Sequence, residues 1–191
     1  MDKIKLLTGK NPKEYESVAT EIINNADVAL FKELVARDDY LFDFVKANVA
    51  KRLEKVCNKD NYKSLLKFLD IYSPYYEDFI SSTLALFADK DVENTMLEKL
   101  KNGSEDAKIY SAGFFSYKKD DRALALLNEY AFSDDGSLSE NCARALSKLG
   151  SKTAYNKAIK MLEVDDDFEQ LKAVNFLVAY QDRSEEHTSE L

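Results

Sequence analysis

Large apolar residues recur along this chain with a period of about 31 positions. One column of them has spacings of 31, 30, 32 and 31: Val56, Phe87, Tyr117, Leu149 and Tyr180. Three positions earlier stands a second apolar column: Leu53, Leu84, Phe114, Leu146 and Leu177. Six positions earlier the side chains are mostly small: Ala50, Ser81, Ser111, Ala143 and Val174. This period is typical of helical-hairpin repeats, in which each unit buries its apolar surface against its neighbours.

Helix start and stop signals fit two helices in each period. Asn11 and Ser73 each precede a proline, an arrangement that favours a helix N-terminus. The segment Ser137–Glu140 fits a capping box, and Gly103 and Gly150 follow helical stretches as stop signals. No stretch shows sustained alternation of period two, so the sequence predicts an all-α fold. We expect a leading helix near 12–25 and five hairpins near 27–57, 60–88, 92–117, 120–149 and 152–182.

The best-preserved unit resembles a known repeat family. It reads Asn-Cys-Ala-Arg-Ala-Leu-Ser-Lys-Leu-Gly over 141–150, and the following helix leads into an acidic run at 165–167. This unit resembles the HEAT-like repeat of the armadillo-type superhelix. The resemblance implies a right-handed α-solenoid whose second helices line a concave, ligand-binding face. Other units depart from the pattern, because Lys118 and Gln181 stand at the position of Gly150, which loosens any subfamily assignment.

The last nine residues have a different origin in our interpretation. Arg183-Ser-Glu-Glu-His-Thr-Ser-Glu-Leu191 resembles the translation of a common short-read sequencing adapter. We therefore expect residues 1–182 to be one repeat domain that is truncated at its C-terminus, and residues 183–191 to be a non-native tail. The tail contains His187, which is the single histidine of the chain.

Six second-helix residues are candidates for binding a partner. Positions two, five and nine residues before the closing residue of each second helix point away from the apolar stripe. The candidates from these positions are Lys51, Ser82, Lys108, Phe115, Arg144 and Asn175. Phe115 is unusual because a large aromatic stands where solvent is expected, and it either anchors a partner or packs against the next hairpin. Leu171 and Val178 are also apolar, which fits the expected truncation.

Several kinds of chemistry are excluded for residues 1–182. Without histidine, serine–histidine and cysteine–histidine catalysis and histidine metal sites are absent. Cys57 and Cys142 lie far apart in the sequence, and Cys142 falls in an apolar column where packing is expected. The acidic runs do not fit a calcium-binding loop, and no glycine-rich phosphate loop is present. We expect no catalytic site, no metal and no cofactor.

Together these features predict a non-catalytic scaffold that binds a protein or peptide along its concave helix face. The net charge of −8 disfavours nucleic acid, so basic side chains on the second helices are expected to form an ordinary charged surface. Two cysteines and the lack of a signal peptide or membrane span predict a cytoplasmic protein without a membrane partner. The resemblance is to HEAT-repeat proteins of bacterial type. Two alternatives stay open: a HEAT-like enzyme of the bilin lyase type, and the regulatory repeat arm of a longer protein.

Overall fold

The computed structural model describes residues 2–37 and 40–181, and these residues are helical with no β-strand. The adapter-like residues 183–191 and the proposed boundary at 182 lie outside the described residues. The described residues form eleven α-helices: α1 (Lys3–Thr8), α2 (Pro12–Asn24), α3 (Val28–Val35), α4 (Asp43–Val56), α5 (Pro74–Phe87), α6 (Lys90–Asn102), α7 (Glu105–Tyr117), α8 (Leu124–Tyr130), α9 (Gly136–Leu149), α10 (Thr153–Met161) and α11 (Asp167–Gln181). Two 3₁₀ segments cover Tyr62–Lys67 and Asp121–Ala123.

The helices stack as an all-α solenoid. The five second helices form one layer, since α4 contacts α5, α5 contacts α7, α7 contacts α9, and α9 contacts α11. The segment Tyr62–Lys67 and helices α6, α8 and α10 pack on α5, α7, α9 and α11, respectively. Each unit therefore contacts its neighbours in sequence, as the 31-residue period predicts, and the predicted fold class is confirmed.

The repeated columns explain the tight stacking of this layer. Leu53, Leu84, Phe114 and Leu146 are fully buried. In the small column, Ser81, Ser111 and Ala143 are also fully buried, because small side chains let neighbouring second helices approach closely. The last member of this column, Val174 on α11, is 46% exposed. The face of α11 that corresponds to the inter-unit contacts is therefore open to solvent in the described residues.

The first two units differ from the predicted hairpins. Helix α4 packs chiefly against α2 rather than α3. In this contact Lys55 forms an ion pair with Glu16 (2.8 Å), and the Arg52 guanidinium lies over the Tyr15 ring (3.9 Å). The short helix α1 also contacts α2, and the sequence analysis did not predict it.

The first half of the hairpin predicted near 60–88 is a 3₁₀ segment over Tyr62–Lys67 rather than an α-helix. Buried residues recur there at every third position, at Tyr62, Leu65, Phe68 and Ile71. That spacing fits three residues per turn.

Most predicted caps are confirmed. The side chains of Asn11 and Ser73 accept backbone N–H bonds at the starts of α2 and α5, and Gly150 adopts a left-handed conformation after α9. The capping box at 137–140 is wrong, because α9 begins at Gly136 and Asp135 is its N-cap, accepting the Leu138 N–H at 2.9 Å. Among the described residues, no helix is both long and apolar enough to cross a membrane.

Candidate functional site

Three adjoining depressions run along the layer of second helices, and we call them together the second-helix groove. The first, the α5 hollow, has a volume of about 390 Å³ and is lined by Glu54, Ser82, Thr83, Ala85, Leu86 and Tyr117. The second, the α5–α9 cleft, has a volume of about 370 Å³ and is lined by Tyr72, Pro74, Glu77, Asp78, Ser137, Glu140, Asn141 and Arg144. The third, the α9–α11 groove, has a volume of about 540 Å³, and its lining includes Phe168, Leu171, Lys172, Asn175 and Val178.

The second and third depressions share lining residues, and a hydrogen bond links the lining of the first to that of the second. Ser137 and Glu140 line both the α5–α9 cleft and the α9–α11 groove. Tyr117 of the α5 hollow donates its hydroxyl hydrogen bond to Asp78 of the cleft. An extended ligand can therefore contact α5, α9 and α11 along one surface.

Glu77 occupies a notch in α7 at the base of the α5–α9 cleft. The notch exists because position 113 is glycine. A Cβ atom there would overlap the Glu77 carboxylate and would lie 2.7 Å from the Ser81 Oγ atom. The Ser81 hydroxyl lies 3.0 Å from Glu77 Oε1 and 3.1 Å from the Tyr110 carbonyl oxygen. Glu77 therefore joins α5 to the backbone of α7 through Ser81.

The environment of Glu77 favours its neutral form. Burial raises the pKa of its carboxyl group to about 7, and the negative charge of Asp78 adds to the increase. The increase in pKa is limited by hydrogen bonds from Ser81 and Asn141 and by the positive charge of Arg144. A protonated Glu77 can donate to the Ser81 hydroxyl while that hydroxyl donates to the Tyr110 carbonyl, which satisfies all three groups. The cleft thus holds a carboxyl group that is half ionised near neutral pH.

Helix α9 supplies the opposite wall of the cleft. The buried Asn141 amide donates to the Ile109 carbonyl oxygen of α7 at 3.3 Å. Arg144 forms its ion pair with Glu140, one turn earlier on the same helix. At the end of the cleft, the Tyr72 hydroxyl donates to Ser137 Oγ at 2.9 Å. These bonds fix the walls of the cleft before any ligand arrives.

The expectation of an exposed Phe115 is wrong, because its side chain is 0% exposed. Lys108, two turns earlier on the same face of α7, lies with its Nζ 5.0 Å from the Tyr130 ring centre at the end of α8. This face of α7 therefore points toward the next hairpin. Phe115 is part of the buried core, and its ring lies edge to face with that of Phe114 at a centroid distance of 5.1 Å.

The other five candidates have different locations. Arg144 lines the α5–α9 cleft, Ser82 lines the α5 hollow and Asn175 lines the α9–α11 groove. Lys108 is half-buried and forms an ion pair with Glu105 at 3.2 Å. Lys51 is exposed on α4. The structure thus brings three candidates, Ser82, Arg144 and Asn175, to one continuous surface.

Sequence reasoning missed Glu77, Gly113 and Asn141. A glycine in the interior of a helix was the available signal, because it often marks a close approach of another group. Its partner could not be read from the sequence. Glu77 is 36 positions away and meets Gly113 only because consecutive second helices are adjacent.

Acidic side chains outnumber basic ones in the second-helix groove. The acidic members are Glu54, Glu77, Asp78, Asp134 and Glu140, whereas the basic members are Arg144 and Lys172. This surface is therefore acidic rather than cationic. Both basic side chains are already in ion pairs, Arg144 with Glu140 and Lys172 with Asp134.

The described residues give little support to covalent or metal chemistry. They contain no group of three or more histidine, cysteine or acidic side chains that could hold a metal ion. Burial raises the pKa of the Cys57 thiol to about 12, and burial also raises that of Cys142 far above its usual range. Both thiols are therefore protonated and poorly nucleophilic at neutral pH.

Comparisons with known proteins find similar chains among solved structures. No protein-family model matches the chain, and no curated protein matches it. The chain is similar to the crystal structure of an engineered protein, a Northeast Structural Genomics Consortium target, with a TM-score of 0.41, 16% identity, and coverage of 94% of this chain and 95% of that chain. It is also similar to the designed armadillo repeat protein YIII(Dq)4CqI, with a TM-score of 0.41, 13% identity, and coverage of 93% and 98%. The fold described above rests on the helix packing of this chain itself.

Proposed function

We propose that the protein is a non-catalytic, HEAT-like scaffold that binds a polypeptide segment along the second-helix groove. The observation that carries this proposal is that the three depressions adjoin. The α5–α9 cleft and the α9–α11 groove share Ser137 and Glu140, and the Tyr117–Asp78 hydrogen bond links the α5 hollow to the cleft. A continuous groove across three or more helices suits an extended chain better than a compact small molecule.

Two further features support a polypeptide ligand. Leu86, Phe168, Leu171 and Val178 are exposed apolar side chains along the groove, and exposed apolar groups rimmed by polar ones mark interaction surfaces. Polar groups line the same depressions, including Asp78, Glu140 and Asn175, and these can accept hydrogen bonds from a peptide.

A selection from a random peptide library tests the proposal. Peptides selected on the whole protein should bind the wild type and should lose at least tenfold in affinity with Glu140→Arg, because Glu140 lines two depressions. Glu129→Arg on α8 is the matched control, since Glu129 is equally acidic and exposed but lies outside the groove. Enrichment of no peptide, or equal loss with both variants, would contradict the proposal.

A further inference from the structure

Two parts of the second-helix groove, the α5–α9 cleft and the α9–α11 groove, differ in chemistry, and this difference defines the partner. We propose that the groove binds a segment with one cationic side chain, which enters the α5–α9 cleft, and one large apolar side chain, which enters the α9–α11 groove. This inference rests on the proposed function and adds the chemistry of the partner to it.

The α5–α9 cleft provides charge complementarity for a cation. Three carboxylates line it, on Glu77, Asp78 and Glu140, against a single guanidinium on Arg144. Because Arg144 forms an ion pair with Glu140, its positive charge does not fully compensate the negative charge of the other two carboxylates. A guanidinium or ammonium group can donate to several acceptors at once, and a partly buried carboxylate strengthens such bonds.

The titration of Glu77 links binding to pH. The titratable and charged groups around it are Asp78 on α5, Tyr72 before α5, Tyr110 on α7, and Glu140 and Arg144 on α9. A bound cation favours the ionised carboxylate, which lowers the pKa of Glu77 from its value of about 7. Because the ionised fraction rises from about one tenth at pH 6 to about nine tenths at pH 8, the association constant should rise about tenfold over that range.

The α9–α11 groove provides the apolar part of the surface. Phe168, Leu171 and Val178 are each more than half exposed there, and they recur at helical spacing along one face of α11. Lys172 lies over the Phe168 ring with its Nζ 4.5 Å from the ring centre and pairs with Asp134. An apolar side chain that enters this groove removes these three residues from water without uncovering an unpaired charge.

The helix spacing sets the distance between the two side chains of the partner. Packed helices lie about 8–10 Å apart, and the two depressions lie on opposite sides of α9. Their centres are therefore about 10–15 Å apart, which corresponds to about three to five residues of extended chain. The partner should carry its cationic and apolar side chains at that separation.

Binding of synthetic peptides to the whole protein tests the inference. The probes are acetylated alanine peptides with one arginine and one leucine, separated by two, three or four alanines. Affinity is measured by backbone amide NMR shifts at pH 6 and pH 8. Citrulline replaces arginine in the neutral control peptide, because it has the same shape without the charge.

The expected result has four parts. One of the arginine peptides binds, and its affinity is about tenfold higher at pH 8 than at pH 6. At pH 8 the citrulline peptide binds at least tenfold more weakly than the arginine peptide. The variant Glu77→Gln binds the arginine peptide with no pH dependence. Glu98→Gln on α6 is the matched control and should leave binding unchanged, since Glu98 is exposed away from the groove. Arg144→Gln should strengthen binding, because it removes the competing cation.

Other outcomes overturn the inference in distinguishable ways. If library-selected peptides bind the groove but arginine gives no advantage over citrulline, or Glu77→Gln changes nothing, the cation assignment fails while the proposed function stands. If acidic peptides bind and Arg144→Gln abolishes their binding, the groove recognises the opposite charge. If no peptide of any charge binds, the inference and the proposed function fail together.

Discussion

Replacing Glu77 by glutamine should stabilise the protein at alkaline pH. The pKa of Glu77 is about 7 in the folded protein against an ordinary value of 4.5, and each unit corresponds to about 1.4 kcal/mol. Because the folded pKa is raised, the folded state holds this proton more tightly than the unfolded state. The contribution of Glu77 to stability is therefore greatest below pH 4.5 and falls as the pH rises through 7.

The magnitude follows from these two pKa values. At pH 8 the ionised Glu77 costs the folded state about 3 kcal/mol relative to a neutral side chain, whereas at pH 5 the cost is below about 1 kcal/mol. The glutamine side chain of the variant stays neutral, and its amide N–H can donate to the Ser81 hydroxyl as the protonated Glu77 does. The variant should therefore exceed the wild type in unfolding free energy by about 3 kcal/mol at pH 8 and by much less at pH 5.

Urea unfolding followed by circular dichroism at pH 5, 6, 7 and 8 measures this difference. Glu98→Gln, at an exposed position of α6, should show no comparable change with pH. An equal effect of Glu77→Gln at pH 5 and pH 8 would refute the reasoning, because it would mean that Glu77 titrates normally in the folded protein.

Three other predictions concern stability and are checked by the same urea experiment. Gly113→Ala should lose about 1–3 kcal/mol of unfolding free energy because the new Cβ overlaps the Glu77 and Ser81 side chains. At Gly136 a Cβ would meet no heavy atom within 4 Å apart from its chain neighbours and the backbone of its own helix, so equal losses at both glycines would refute the notch. Phe115→Ala should lose about 3–5 kcal/mol as a core truncation, and a loss below 1 kcal/mol would indicate a surface position. Ala26→Gly should gain about 0.5–1 kcal/mol and Gly150→Ala should lose about 1 kcal/mol, since both residues adopt left-handed conformations (φ of 48° and 70°) at helix C-termini; two losses would contradict this.

The sequence predicted the stacking of units because burial repeats with the chain period. Leu84, Phe114 and Leu146 occupy equivalent positions, and all three are buried between a second helix and its partners. Such a column depends only on local helix geometry and on the presence of neighbours. The structure departs from the predicted hairpins where a unit lacks the regular spacing of apolar residues. The residues from Tyr62 to Ile71 carry apolar side chains at every third position, and a 3₁₀ segment over Tyr62–Lys67 forms there instead of an α-helix.

The candidate site was less predictable because it depends on contacts between units. The same column position is exposed at Val178 and buried at Phe115, because neighbouring units do not cover the two helices in the same way. The cleft itself forms where Glu77 of one unit meets Gly113 of the next and Asn141 of the one after. No single unit contains this arrangement, so the 31-residue period of the sequence could not reveal the cleft.

Cross-linking of a bound peptide tests the central claim, that the second-helix groove is the binding surface. A library-selected peptide that carries a photoreactive group is irradiated with the whole protein, and the linked residues are identified by mass spectrometry. The account predicts links to the linings of the α5–α9 cleft and the α9–α11 groove, such as Tyr72, Ser137 and Asn175. Links confined to α3, α6 or α10, which lie outside the layer of second helices, would contradict it.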